Sequence, residues 1–317
     1  MALQWRVRLL GAAINRAVVP YARMSDATRH RLNSRSGPRW VGEVLSGRPD
    51  PAAGVGELVV PGPAGGIPAL TYRPAGVEGS LPLLVVLHGG GFVFGHRSMT
   101  AWLSSRLATR VGAVVVAPGY RLAPEFPVPA PGEDCYAVAA WAAAHAAELG
   151  GDGGRLAVVG ESAGATLAAV VTLLARERGG PHLRAQALAQ GAFDLRPGAP
   201  MMIPQAAWPF GRTADAPDAV AAYLGSAGDP GDPLVSPQLA EHAGLPPAFV
   251  LTADHDYLRE DGERYGAALR AAGVRVEHLH LVDSPHGVFS FPGWCAAAVP
   301  ALDRLAAFLR RELTVLP

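Results

Sequence analysis

Leu156-Ala157-Val158-Val159-Gly160-Glu161-Ser162-Ala163-Gly164, with the helix-compatible run that continues to residue 178, decides the fold. The first four residues are apolar and bounded by turn signals, as in a strand buried on both faces of a sheet. A helical pattern opens at Ala163. Between the two lies G-x-S-x-G in the context that gives the motif meaning, a strand running through a tight turn into a helix. The glycines permit the turn, and the turn lifts the Ser162 hydroxyl above the sheet, where the helix N-terminus favours developing negative charge. The competing reading is a glycine-rich turn with an incidental serine.

Working outward, the same apolar run recurs at 83–87, 113–116, 185–189, 248–251 and 274–281, with shorter β-type runs at 57–60 and 67–72. Helical patterns fill 100–111, 133–149, 258–272 and 296–313. Strands alternating with helices predict an α/β fold, a mostly parallel eight-stranded sheet with helices on both faces. No helix separates the first two strands, so they are expected as an antiparallel edge. Residues 195–245 break the rhythm with many Pro and Gly, the aromatics Trp208, Phe210 and Tyr223, and no strand pattern. A structureless loop of that length is improbable in a compact domain, so short helices outside the sheet are expected there. Residues 1–50, Arg-rich and helix-compatible, end in Pro49-Asp50-Pro51. The expected organisation is an N-terminal cap segment at 1–50, a catalytic domain at 51–317, and a second cap segment at about 195–245 within it.

A serine hydroxyl is a weak nucleophile until a base takes its proton and a third group orients that base. On this type of sheet the chain order is Ser, acid, His. The downstream histidines are His182, His242, His255, His278, His280 and His286. His278 and His280 fall inside a strand pattern, which commits them to a sheet face. His286 follows that strand in a loop at its C-terminal end, the edge where reactive groups of open α/β sheets collect. The acid is sought after the preceding strand, among Asp254, Asp256, Glu260 and Asp261. The last two fall in a helix first turn, which suits carboxylates for reasons of their own. Asp254 and Asp256 both remain candidates on this argument, with the alternative that either is a helix N-cap. His88-Gly89-Gly90-Gly91-Phe92 follows the strand at 83–87 and offers unobstructed backbone N–H groups for an oxyanion. His88 precedes the serine and reads as a support for its loop.

Composition removes other chemistries. There are 27 basic and 27 acidic residues, so the basic footprint of a nucleic-acid binder is missing. Every basic residue is Arg, and without Lys there is no P-loop grip, no Schiff base and no kinase-type ATP contact. Cys135 and Cys295 are too few and too far apart in sequence for a zinc cluster or a disulfide framework. The apolar run at 9–14 is short for a signal peptide, and no stretch approaches the ~20 residues of a membrane span. A soluble, cytoplasmic protein without stable membrane insertion is expected.

Taken together, these motifs resemble the bacterial hormone-sensitive-lipase group of esterases, an α/β-hydrolase family, from about residue 50 onward. His88-Gly89-Gly90-Gly91 and Gly160 to Gly164 are similar to its two signatures. Tyr120-Arg121-Leu122-Ala123-Pro124-Glu125 with Pro127, Pro129 and Asp134 resembles the segment between them. Asp229-Pro230 to Ser236-Pro237, then Gly244-Leu245-Pro246-Pro247, is similar to its run into the penultimate strand. Thr252 to Arg259 looks like its acid loop, and His286-Gly287 with Phe289 like its histidine motif. The resemblance implies the α/β-hydrolase fold with a helical cap built from the two segments already marked. It also implies Ser162 as nucleophile, His286 as base, Asp256 as the acid, and Gly90, Gly91 and Ala163 as oxyanion donors, with no metal or cofactor.

The implied activity is hydrolysis of small to medium acyl esters through an acyl-enzyme. The same triad would also serve an acyltransferase or a natural-product tailoring hydrolase; a non-catalytic binding module on this fold is the third reading. Three positions depart from the family: Glu161 for Asp, Ala165-Thr166 for Gly-Asn behind the elbow, and Tyr257 for Pro after the acid. None removes a catalytic group. Trp5, Trp40, Trp208 and Phe210 are candidates either for an apolar substrate site or for packing the cap. A homodimer through 274–281 and 296–313 is a further expectation from the family.

Overall fold

The computed structural model describes residues 11, 21–34, 43–44, 46–202 and 215–314. Trp5, Trp40, Trp208 and Phe210 lie outside the described residues. Eight strands form one sheet: β1 (Ala53–Gly62), β2 (Gly65–Pro74), β3 (Leu81–Leu87), β4 (Val114–Pro118), β5 (Gly151–Glu161), β6 (Leu183–Ala189), β7 (Ala248–His255) and β8 (Val276–Pro285). Their order is β1-β2-β4-β3-β5-β6-β7-β8. β2 runs antiparallel to both β1 and β4, and every other neighbouring pair is parallel. The expected antiparallel edge is therefore there, a hairpin with only two residues between its strands.

The described helices are α1 (Asp26–Ser34), α2 (Ala101–Leu107), α3 (Ala130–Ala144), α4 (Ala163–Glu177), α5 (Ala216–Leu224), α6 (Arg259–Ala271) and α7 (Ala298–Leu313). Strand alternation assigns them to layers, because successive side chains leave a strand on opposite faces. Leu83, Val85 and Leu87 of β3 face one way and join Val138 of α3, Leu167 of α4 and Leu269 of α6 in one core. Leu84 and Val86 face the other way and join Leu103 of α2 and Leu302 and Phe308 of α7 in a second core. Cys135 belongs to the first core and Cys295 to the second, both as free thiols, so the sheet stands between them.

Element boundaries differ from the sequence expectation where composition hides them. β5 starts at Gly151 because Gly151 and Asp152 pair with Leu81 and Pro82 before a register shift, although nothing there is apolar except the partner strand. The helix expected over 100–111 is α2 followed by one π turn, Ala108–Gly112. The described part of 195–245 holds α5 and two 3₁₀ turns, Pro200–Met202 and Pro237–Leu239. Val220 and Tyr223 of α5 are buried, and the Tyr223 ring stacks on Phe92 at 4.0 Å, seating α5 beside the glycine loop that follows β3. From the other side, Asn33 of α1 donates to the Val93 carbonyl at 2.9 Å, and the Tyr21 ring meets Phe94 edge-on. No helix among the described residues is long and apolar enough to cross a membrane.

Candidate active site

Ser162 stands between β5 and α4 with φ +58° and ψ −127°, a conformation that L-residues rarely adopt and that costs about 1–3 kcal/mol. Close backbone approach explains the glycines around it. A Cβ at Gly160 would lie 2.0 Å from the Gly164 carbonyl oxygen, and one at Gly164 would lie 2.2 Å from that of Leu87. The Ser162 N–H donates to the Ala189 carbonyl at 2.8 Å, which ties the turn to the end of β6.

His286 follows β8 directly. Its Nε2 lies 2.9 Å from Ser162 Oγ and its Nδ1 lies 2.8 Å from Asp256 Oδ1. A carboxylate only accepts, so Nδ1 carries the proton and Nε2 is left to accept from the serine hydroxyl. Asp256 Oδ1 also accepts the Leu258 N–H at 2.9 Å, and both His286 and Asp256 are buried. Burial alone would lower the His286 imidazole. The charge and hydrogen bond of Asp256, with the charge of Glu161, outweigh it and hold the ring above its ordinary 6.5.

The other candidates go elsewhere. Asp254 is still on β7, and its side chain turns to the neighbouring strand, accepting from His280 Nε2 at 2.9 Å and from the Asp283 N–H at 3.0 Å. His278 and His280 share the Thr252 hydroxyl, on the sheet face to which the strand commits them. Glu260 is exposed. Asp261 is fully buried and accepts the Phe193 and Asp194 N–H groups, and burial pushes its carboxyl up to about 7.

The glycine loop curls back on itself, with the Phe94 N–H donating to Gly90 O at 2.9 Å. Gly90 has φ +119° and a Cβ there would strike the Phe94 carbonyl; Gly91 has φ +60°. Among the described residues, the Gly90 and Gly91 N–H groups meet no acceptor. His88 supports this loop, as its place in the sequence implied. It stacks on Tyr120 at 4.1 Å, its Nδ1 reaches Gly89 O at 2.8 Å, and Tyr120 Oη donates to the His88 carbonyl at 2.6 Å. Burial drops the His88 ring to about 4, so it is neutral near pH 7.

Gly90, Gly91, Ser162, Ala163 and His286 line one cavity of about 330 Å³. Its walls are otherwise mostly apolar, with Tyr21, Met24, Phe94, Met201, Val220, Tyr257 and Phe291 among them. Larger grooves of about 540 and 580 Å³ lie on the surface and touch none of these groups.

The departures from the family find their places here. Glu161 accepts the Phe289 N–H at 2.7 Å and the Ser290 hydroxyl, binding the loop after His286 to the end of β5. Thr166 donates to the Ala192 carbonyl at 2.6 Å, and Ala192 is part of the cavity wall. The Tyr257 ring lies 5.3 Å from that of His286. One side chain escaped the sequence reading altogether. Gln190, at the end of β6, reaches the backbone on both sides of His286. It belongs to no motif and its partners lie 95–98 residues away, so no local signal marks it.

The chain matches the model of the alpha/beta hydrolase fold family over residues 84–290. It is 36% identical to Esterase LipI of Mycobacterium tuberculosis over 306 residues, covering 90% of this chain and 92% of that one. It is 39% identical to Carboxylesterase NlhH of the same organism over 259 residues, 78% of this chain and 79% of that one. Among solved structures, the hyperthermophilic esterase of the archaeon Pyrobaculum calidifontis superposes with a TM-score of 0.89 at 32% identity, over 99% of this chain and all of the other. By sequence match over well more than half its length and by architecture, the chain belongs to the alpha/beta hydrolase fold family.

Proposed function

We propose that the protein is a serine carboxylesterase acting on small to medium acyl esters. One observation carries the reading: Ser162 Oγ lies 2.9 Å from His286 Nε2, whose Nδ1 lies 2.8 Å from Asp256, at the wall of an apolar cavity bordered by glycines. The names of the relatives, esterase and carboxylesterase, agree with it. Ser162 attacks the ester carbonyl as its proton passes to His286 Nε2. The carbonyl oxygen becomes an oxyanion held by the N–H groups of Gly90, Gly91 and Ala163, where each donor is worth about 2.7–4 kcal/mol. Collapse breaks the C–O bond, and His286 returns the proton to the departing alcohol. Water then attacks the acyl-enzyme, giving its proton to His286, and the acid leaves as Ser162 recovers its own. Asp256 keeps the imidazole in the correct tautomer throughout. The segments at 1–50 and about 195–245 serve as the cap; Tyr21, Met24, Met201 and Val220 from them line the cavity.

The test is hydrolysis of p-nitrophenyl esters from acetate to palmitate, with Ser162→Ala beside the wild type. Turnover should peak at short or medium chains and fall at least about 10³-fold in the variant. No turnover, with Ser162 still labelled by an organophosphate, would move the reading to acyl transfer; no turnover and no labelling would overturn it.

A further inference from the structure

The geometry points to Gln190 as a positioning residue for the base, and we propose that its side-chain amide fixes the peptide units flanking His286; this rests on the esterase reading above. Gln190 Nε2 donates to the Pro285 carbonyl at 2.9 Å, the acceptor just before His286. Its Oε1 accepts the Gly287 N–H at 2.9 Å and the Val288 N–H at 3.1 Å, the donors just after it. The amide therefore spans the residue that must meet Ser162. Asp256 sets the rotation of the ring, whereas Gln190 sets the backbone from which the ring projects.

The amide itself has a fixed origin. Gln190 is fully buried, and its own N–H donates to Leu251 O of β7 at 2.9 Å. Its backbone sits at φ +52°, a conformation rare for a residue with a side chain and one that the surrounding structure has to impose. The amide offers both a donor and a two-bond acceptor at this reach. An apolar side chain of equal size would leave one carbonyl and two N–H groups unsatisfied beside the base. Glu161 grips the same loop further on, at Phe289 and Ser290, so the loop is held from the ends of two adjacent parallel strands.

Gln186 supplies the control. It is an equally buried amide in the middle of β6, four residues before Gln190, and it donates to Pro246 O at 3.1 Å, away from the site. We would measure kcat, KM and thermal midpoint for Gln190→Leu, Gln190→Glu and Gln186→Leu on p-nitrophenyl butyrate. Beside them, the low-field ¹H resonance of the His286–Asp256 hydrogen bond would be recorded. Gln190→Leu should lower kcat by about 10–100-fold, the scale of a misplaced catalytic group, with KM changed less than about threefold. The low-field resonance should weaken or vanish in it. Gln190→Glu, which keeps the acceptor for both N–H groups, should recover part of kcat. Gln186→Leu, which also removes a buried amide of β6, should keep wild-type kcat and the resonance.

A kcat within twofold of wild type in Gln190→Leu would overturn the proposal, as would an equal kcat loss in Gln186→Leu. If Gln190→Leu does not fold, Gln190→Asn takes its place, since its amide is one methylene too short to span both peptide units, and an unchanged kcat and resonance in it would overturn the proposal instead. A wild type without esterase activity would sink the functional reading alone, because the resonance still tests the positioning.

Discussion

At the scale of single residues, the proposed site combines a strained serine with a histidine whose charge balance is tuned by two carboxylates. Glu161 differs from Asp256 in touching the histidine loop and not the ring, so it acts on His286 through its charge. His286 must be neutral to take the serine proton. Its imidazole is held above 6.5, so kcat/KM should rise with pH through a limb above that value. Glu161→Gln keeps an acceptor for Phe289 and a partner for Ser290 but removes an ionisable carboxyl, one that burial holds above its ordinary range. The limb should then move to lower pH, while the acyl-chain preference stays the same. A pH profile of the two enzymes settles the matter, and an unmoved limb would mean that Glu161 has no electrostatic hold on the base.

At the scale of elements, α4 lies close to the sheet because glycine replaces a side chain where helix and strand touch. The obstacle to a Cβ at Gly164 is the backbone carbonyl of Leu87, which no rotamer change can move. Gly164→Ala should therefore cost at least about 1–3 kcal/mol, the range for overpacked interiors, and abolish activity with Ser162 intact. Chemical denaturation and an ester assay on the same sample would check both. The same element shows what a sequence can announce. The inner strands of the parallel sheet were legible because burial on both faces makes them continuous apolar runs, and Ser162 because it follows one; His286 follows β8, a partly buried edge strand whose sequence alternates apolar and polar residues from Val274 to Leu281. Asp254 and Asp256 stayed undivided on residue grounds, since the end of β7 at His255 decides between them. Asp254 remains on the strand and faces β8, whereas Asp256 has left it. The start of β5 was not legible, since Gly151-Asp152-Gly153-Gly154 carries no apolar pattern and pairs through its backbone. Gln190 was not legible either, because its three partners are backbone groups that any residue possesses.

At the scale of the whole molecule, two cores share one sheet, and a buried carboxyl of α6 links the first of them to the loop after β6. Asp261 ordinarily titrates near 3.8, and burial raises it to about 7 in the folded protein. Between these values the native state keeps a proton that the unfolded chain has released. Stability therefore falls as pH rises from about 4 to about 7, by no more than about 4 kcal/mol at 1.36 kcal/mol per unit. Asp261→Asn keeps an oxygen for the Phe193 and Asp194 N–H groups and removes the ionisation. Its thermal midpoint should vary less between pH 5 and pH 8 than that of the wild type. A midpoint with the same pH slope in both would show that another group controls it. The two thiols carry a last consequence. Cys135 and Cys295 are buried on opposite sides of the sheet, and the chain has no other cysteine. A thiol placed on the outward side of α5, whose Ala216, Ala219 and Val220 line the cavity, would be the one readily accessible to a maleimide dye. A fluorophore or spin label there would report from the cavity wall, with no native cysteine to be removed first.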